Sequence, residues 1–129
     1  MSERMLGRVL AAVLPLALRF WSLRRVLWLC DRIPPLPPGV PAPPVERLAR
    51  QARRLLAHGH GPWTDTCLSR SVLLYALLRR HRYEPHLHIG AAGRANCFTA
   101  HAWLTVDGNS VLEPAPQTDG YRDLLVHHV

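Results

Sequence analysis

Residues Thr64 to Arg80, TDTCLSRSVLLYALLRR, leave the fold little freedom. Leu68, Val72, Tyr75 and Leu78 recur at helical spacing, and Leu73, Leu74 and Leu77 fill the gaps between them, so most of the helix circumference is apolar. Such a helix is stable only when other elements surround it, and the rest of the chain must supply them. Thr64, Asp65 and Thr66 are each good N-caps, which starts the helix at or just before Cys67. Arg79, Arg80 and His81 fall at its other end, where the helix dipole favours positive charge.

The flanking sequence offers partners on both sides. Residues 4 to 30 are rich in Leu, Val and Ala and are expected to form a helix, or a pair of helices, laid on the core, with a break or kink at Pro15. Ile33 to Pro44 holds seven prolines and reads as an extended, semi-rigid spacer. Then Val45, Leu48, Ala49, Ala52, Leu55 and Leu56 follow the spacing of an amphipathic helix that ends by Gly59 and Gly61-Pro62. From Pro85 the period changes to two. His86 to Ile89 reads as a strand, Gly90 to Asn96 as a loop or hairpin turn, and Cys97 to Val106 as a second strand. Ala100, Ala102, Leu104 and Val106 form one face of that strand and His101, Trp103 and Thr105 the other. Asp107-Gly108-Asn109 is a turn signal, Ser110 to Glu113 a returning strand, and Tyr121 to Val129 is left without an assigned state. Helices first and antiparallel strands after make an α+β chain. The expected organisation is a basic and apolar helical segment over 1–32, a proline-rich linker over 33–44 and the chemistry-bearing domain over 45–129.

Charge narrows the function. The net charge is +7, carried by 16 arginines and no lysine, which favours acidic partners. The arginines are scattered rather than interleaved with aromatics on one face, and no nucleic-acid motif is present, so nucleic acid is not the expected partner. The apolar run Val9 to Leu18 is too short for the roughly 20 residues a bilayer span needs. Basic residues beside Leu, Phe and Trp are compatible with peripheral membrane contact, although packing on the core is the simpler expectation. No small-residue cleavage site follows, and Cys30, Cys67 and Cys97 cannot all pair with one another, so a cytoplasmic protein with reduced thiols is expected.

One cysteine is placed for reactivity. The first amides of a helix lack internal partners and lie at the positive end of the dipole, which stabilises a thiolate at Cys67. A thiolate nucleophile needs a base, and the base needs a third group to orient it. His101, alone in an apolar strand, suits the base. Three acids are available. Glu113 reaches His101 only with a three-residue Asp107-Gly108-Asn109 loop that pairs Val106 with Ser110 and Trp103 with Glu113, whereas a two-residue turn puts Glu113 on the other face. Asp107 begins the turn, where its side chain more often serves the local backbone, and Asp119 lies further on. The Cys67 backbone amide is the expected oxyanion donor, and Trp103 either packs in the core or lines a substrate groove. A competing class is metal binding, since His58/His60 and His86/His88 are His-x-His pairs near cysteines, but no Cys-x-x-Cys pair completes a zinc site, so no metal or other cofactor is expected. A third class is a non-catalytic adaptor in a peptide-maturation complex, acting through the basic helix and the proline spacer.

The segments CLSRSVLLYALLRR, HIGAAGRANCFTAHAWLTVDG and VLEP together resemble the transglutaminase-like cysteine peptidases of lasso-peptide biosynthesis, in their stand-alone form without a fused leader-recognition domain. The resemblance covers roughly Pro62 to Pro114 and rests on the C-L-x-R-S element, the F-x-A-H-A-W element and their spacing. It implies a papain-like core over 45–129, with a central helix carrying the nucleophile packed on an antiparallel sheet. It also implies a leader peptidase for a ribosomally made precursor, presented by a small leader-recognition protein and passed to a lasso cyclase. Residue by residue, Cys67 matches the nucleophile and His101 the base, while Glu113 stands where the family usually has aspartate.

Overall fold

The computed structural model describes residues 3–37, 39–57, 66–94, 97–111 and 122–127. Four helices, α1 (Glu3–Phe20), α2 (Leu23–Asp31), α3 (Val45–Leu56) and α4 (Cys67–Arg80), precede four strands, β1 (Pro85–Arg94), β2 (Cys97–Val106), β3 (Asn109–Val111) and β4 (Arg122–His127). The strands form one antiparallel sheet in the order β3-β2-β1-β4. The α+β expectation therefore holds, and α4 takes the central position its composition demands.

Every residue from Val72 to Leu78 is buried, because α1, α2 and α3 pack on α4 together with β1 and β2. Leu10, Ala11 and Leu14 of α1, Val26, Leu27 and Cys30 of α2, and Leu48, Ala52 and Leu56 of α3 share one core with Leu87 of β1 and Leu104 and Val106 of β2. The first two helices thus belong to the same core as α4. Asp31, at the end of α2, accepts a 2.5 Å hydrogen bond from the Tyr75 hydroxyl and lies 3.7 Å from Arg79 Nε, which ties α2 to the middle of α4.

Several boundaries differ from the sequence expectation. Pro15 sits inside α1, and the break comes at Ser22, whose side chain accepts from the Arg25 amide and starts α2. Proline costs the helix one hydrogen bond, and the burial of Leu10, Ala11, Leu14 and Pro15 itself outweighs that loss. The strand β1 runs on to Arg94, through Gly90, Ala91, Ala92 and Gly93, where a loop was expected; pairing along all of β2 overrides the weak strand preference of these small residues. The tail forms β4, paired to β1 with an irregularity between Ile89 and Gly90.

The proline segment is fastened along the far end of α4. The Leu36 amide donates to the Arg80 carbonyl, the Arg80 guanidinium to the Pro34 carbonyl, and the Tyr83 hydroxyl to the Pro43 carbonyl at 2.7 Å. Among the described residues no helix is long and apolar enough to cross a membrane.

Burial of Cys30 and Tyr75 has a measurable consequence at alkaline pH. Desolvation, with the Asp31 charge adding to it, pushes the Cys30 thiol from 9.0 up to about 12. Desolvation and the bond to Asp31 hold the Tyr75 phenol above its usual range. In both cases the folded state keeps a proton that the unfolded chain releases, so stability is complete below the unfolded pKa and is lost as pH rises past it. Urea midpoints are therefore expected to fall steeply above pH 9 in the parent, and less steeply in Cys30→Ala and in Tyr75→Phe. A parent midpoint unchanged between pH 8 and 10.5 contradicts this.

Candidate active site

The start of α4 is built by its cap. Thr66 holds extended backbone angles, its hydroxyl accepts from the Ser69 amide at 3.1 Å, and its carbonyl accepts from the Arg70 amide at 2.9 Å. Those bonds serve the third and fourth residues of the turn and not Cys67, which is the first residue of α4. Of the three caps read from the sequence, Thr66 is the one used, and Thr64 and Asp65 lie outside the described residues.

One turn further along, the buried Ser71 hydroxyl donates to the Ala102 carbonyl of β2 at 3.3 Å. Ala102 directly follows His101. The bond therefore fixes the first turns of α4 against the stretch of β2 that contains His101, with Cys67 four residues, about 6 Å along the helix axis, before Ser71. His101 itself stands opposite Gly90 on β1, and Gly90 in turn stands opposite Asp123 on β4. The sheet row through His101 thus crosses a position with no side chain and reaches an acid two strands away. Sequence reading passed over Asp123 because the tail gave no periodic signal. The glycine inside an otherwise β-patterned run was the available clue to a close approach.

The other candidates separate. The turn after β2 is the two-residue one: Val106 pairs with Asn109, Thr105 with Ser110 and Leu104 with Val111, while Asp107 and Gly108 take the positive φ angles of 52° and 81° that a tight hairpin requires. The three-residue loop that pairs Val106 with Ser110 is not formed. The Asp-Gly sequence is well suited to the shorter turn. Glu113 and Asp119 lie outside the described residues, and Asp107 is exposed at the hairpin tip.

Trp103 is buried and stacks on His88 of β1, with ring centroids 5.2 Å apart and planes 6° from parallel. His88 Nε2 is also 2.9 Å from Thr105 Oγ1. His86 is exposed, so the two histidines of this His-x-His pair serve different surroundings, and His58 and His60 lie outside the described residues. Among the described residues no group of three or more His, Cys, Asp or Glu side chains is arranged to hold a metal ion.

The thiol of Cys30 is the counter-example to Cys67. Fully buried and pushed up to about 12, it stays protonated and unreactive at neutral pH. In a Cys97→Ser background, iodoacetamide at pH 7 is expected to modify the native protein at Cys67 and to reach Cys30 only in denaturant, as read by peptide mass. Labelling of Cys30 in the native state is the opposing result.

A buried central helix with a cysteine as its first residue, tied by its second turn to a strand carrying a histidine, is the arrangement of a papain-like core. The chain matches the family model described as the Transglutaminase-like superfamily over residues 10–126 and belongs to that superfamily. Its fold is one commonly used by cysteine peptidases and acyltransferases. No curated protein and no solved structure matches the chain.

Proposed function

We propose that the protein is a cysteine peptidase that removes the leader from a ribosomally synthesised lasso-peptide precursor, held out to it by a leader-recognition partner, before a cyclase closes the core. The observation that carries the reading is the bond from Ser71 to Ala102, which sets the helix start bearing Cys67 beside the strand bearing His101.

In the reaction, the Cys67 thiolate attacks the carbonyl at the leader–core junction, and the negative charge on the tetrahedral oxygen is met by the Cys67 backbone amide. The His101 imidazolium gives its proton to the leaving amine, the leader–core amide breaks, and a thioester to Cys67 forms. Water, deprotonated by His101, then attacks the thioester and restores the thiol. The third group is drawn from Glu113 and Asp107, joined now by Asp123, whose register with Gly90 gives it a place in the His101 row. Trp103 is assigned to packing beneath the site, with a groove-lining role dependent on substrate.

The test is direct. The protein is incubated with the precursor encoded beside its gene and the presenting partner, and products are weighed by mass spectrometry. Two fragments that sum to the precursor plus one water support the reading, and an intact precursor under these conditions rejects it.

A further inference from the structure

The helix α1 carries two apolar stripes, and the core uses one of them. Leu10, Ala11 and Leu14 face inward. Met5, Val9, Val13, Leu16 and Phe20 are exposed, Val13 to 51% and Phe20 to 71%. Their steps of four, four, three and four are the spacing of a helix–helix seam, and at 1.5 Å per residue the row is about 22 Å long. At the α1–α2 corner Phe20 is followed by exposed Trp21, and further along α2 the exposed Trp28 carries the Arg32 guanidinium 3.9 Å over its ring. An exposed apolar face of this extent marks an interaction surface.

Charge says what fits it. Arg4, Arg8, Arg19, Arg24 and Arg25 are all exposed on the same two helices. The acids there are Glu3 and Asp31, and Asp31 is engaged with Tyr75 and Arg79. We propose that this face docks an amphipathic helix of a partner protein, apolar at the same three-and-four spacing and acidic along the side that meets the arginines. A second copy of this chain would bring two arginine-rich helices together. A bilayer favours a broad apolar face, whereas this row is a narrow seam with the rest of the apolar surface of α1 turned to the core.

The position of the row points to the kind of protein. A methyl group at Gly7 would stand 2.8 Å from Gln51 Nε2 and 3.5 Å from Leu55 Cδ1, so the start of α1 lies against the last turns of α3. Tyr83, just past α4, bonds Pro43, just before α3, so these packed helices run antiparallel and the end of α3 lies toward the start of α4. The seam therefore begins at the end of the molecule that holds Cys67. A protein seated on it is placed to hand over a peptide, which makes the presenting protein the occupant; that identity rests on the leader-peptidase reading.

The experiment titrates the presenting protein by calorimetry into the parent, Val9→Glu/Val13→Glu and Arg8→Glu/Arg19→Glu. All four positions are exposed, so circular dichroism and melting temperature are expected to match the parent. Binding should weaken about 30-fold or more in the valine variant and about 10-fold in the arginine variant. Cleavage of the presented precursor should fall in parallel, while cleavage of a short free junction peptide at saturating concentration stays at the parent's rate. Parent-like binding by both variants, or no binding by the parent, overturns the proposal. So does loss of self-association, or of co-sedimentation with phosphatidylglycerol vesicles, with binding unchanged, because the face then belongs to a second copy or to a membrane. If the parent binds through this face yet cuts neither peptide, docking stands and the leader-peptidase reading falls.

Discussion

On the proposed mechanism, Cys67→Ala is expected to abolish cleavage of the presented precursor, by about 10⁴-fold or more, in a protein that folds and binds the presenting partner as the parent does. The substitution removes the sulfur that is proposed to bond to the substrate and leaves the cap intact, since Thr66 bonds Ser69 and Arg70 rather than Cys67. His101→Ala is expected to cost nearly as much, and the double variant little more than either alone, because nucleophile and base act as one unit. Asp123→Asn, Glu113→Gln and Asp107→Asn, assayed side by side, assign the third role: the variant that matters loses rate and shifts the pH profile of kcat/KM, and the other two do neither. Residual leader removal by Cys67→Ala at even a hundredth of the parent rate would exclude the thioester route.

Leu74→Ala is expected to destabilise the fold by about 3 kcal/mol, with a range of roughly 2 to 5 for a fully buried leucine. Leu74 is wholly inaccessible in the middle of α4, where α1, α2, α3 and the sheet all press on the same helix. No single neighbour can move in to fill the space without leaving another contact. For a chain of this size the loss corresponds to a melting temperature lower by roughly 10 to 15 °C. A shift of a degree or two would mean that α4 is less enclosed than its burial indicates. Helix propensity does not explain the effect, since alanine is the better helix former.

The same contrast shows what was legible in the sequence. The central helix and its capped start were legible because an apolar circumference has no other stable explanation. The helix α3 was legible from its period, and β2 from strict alternation. The extent of β1 was not, because Gly90 to Gly93 carries loop residues that only the partner strand holds extended. Pro15 misled for a related reason: a local cost in one helix is invisible until the packing that offsets it is known. The hairpin after Val106 turned on one residue. Asp-Gly signals a tight turn, and counting Asn109 into the loop shifts the expected register of the returning strand by one residue. Cys67 and His101 are candidates that neighbourhood and spacing point to in the sequence, whereas Asp123 becomes one only through a strand register that no local pattern in the tail announces.

The fastening of residues 33–44 has a mechanical side. Stiff, proline-rich chain has little conformational freedom to give up when it is pinned, so its three bonds to α4 and its flanks hold firmly at small entropic cost. With Asp31 bonded to Tyr75, the α1–α2 hairpin is moored to α4 both directly and through this strap. A pull or push delivered to α1 is then borne by the helix that begins at Cys67, rather than dissipated in a slack tether.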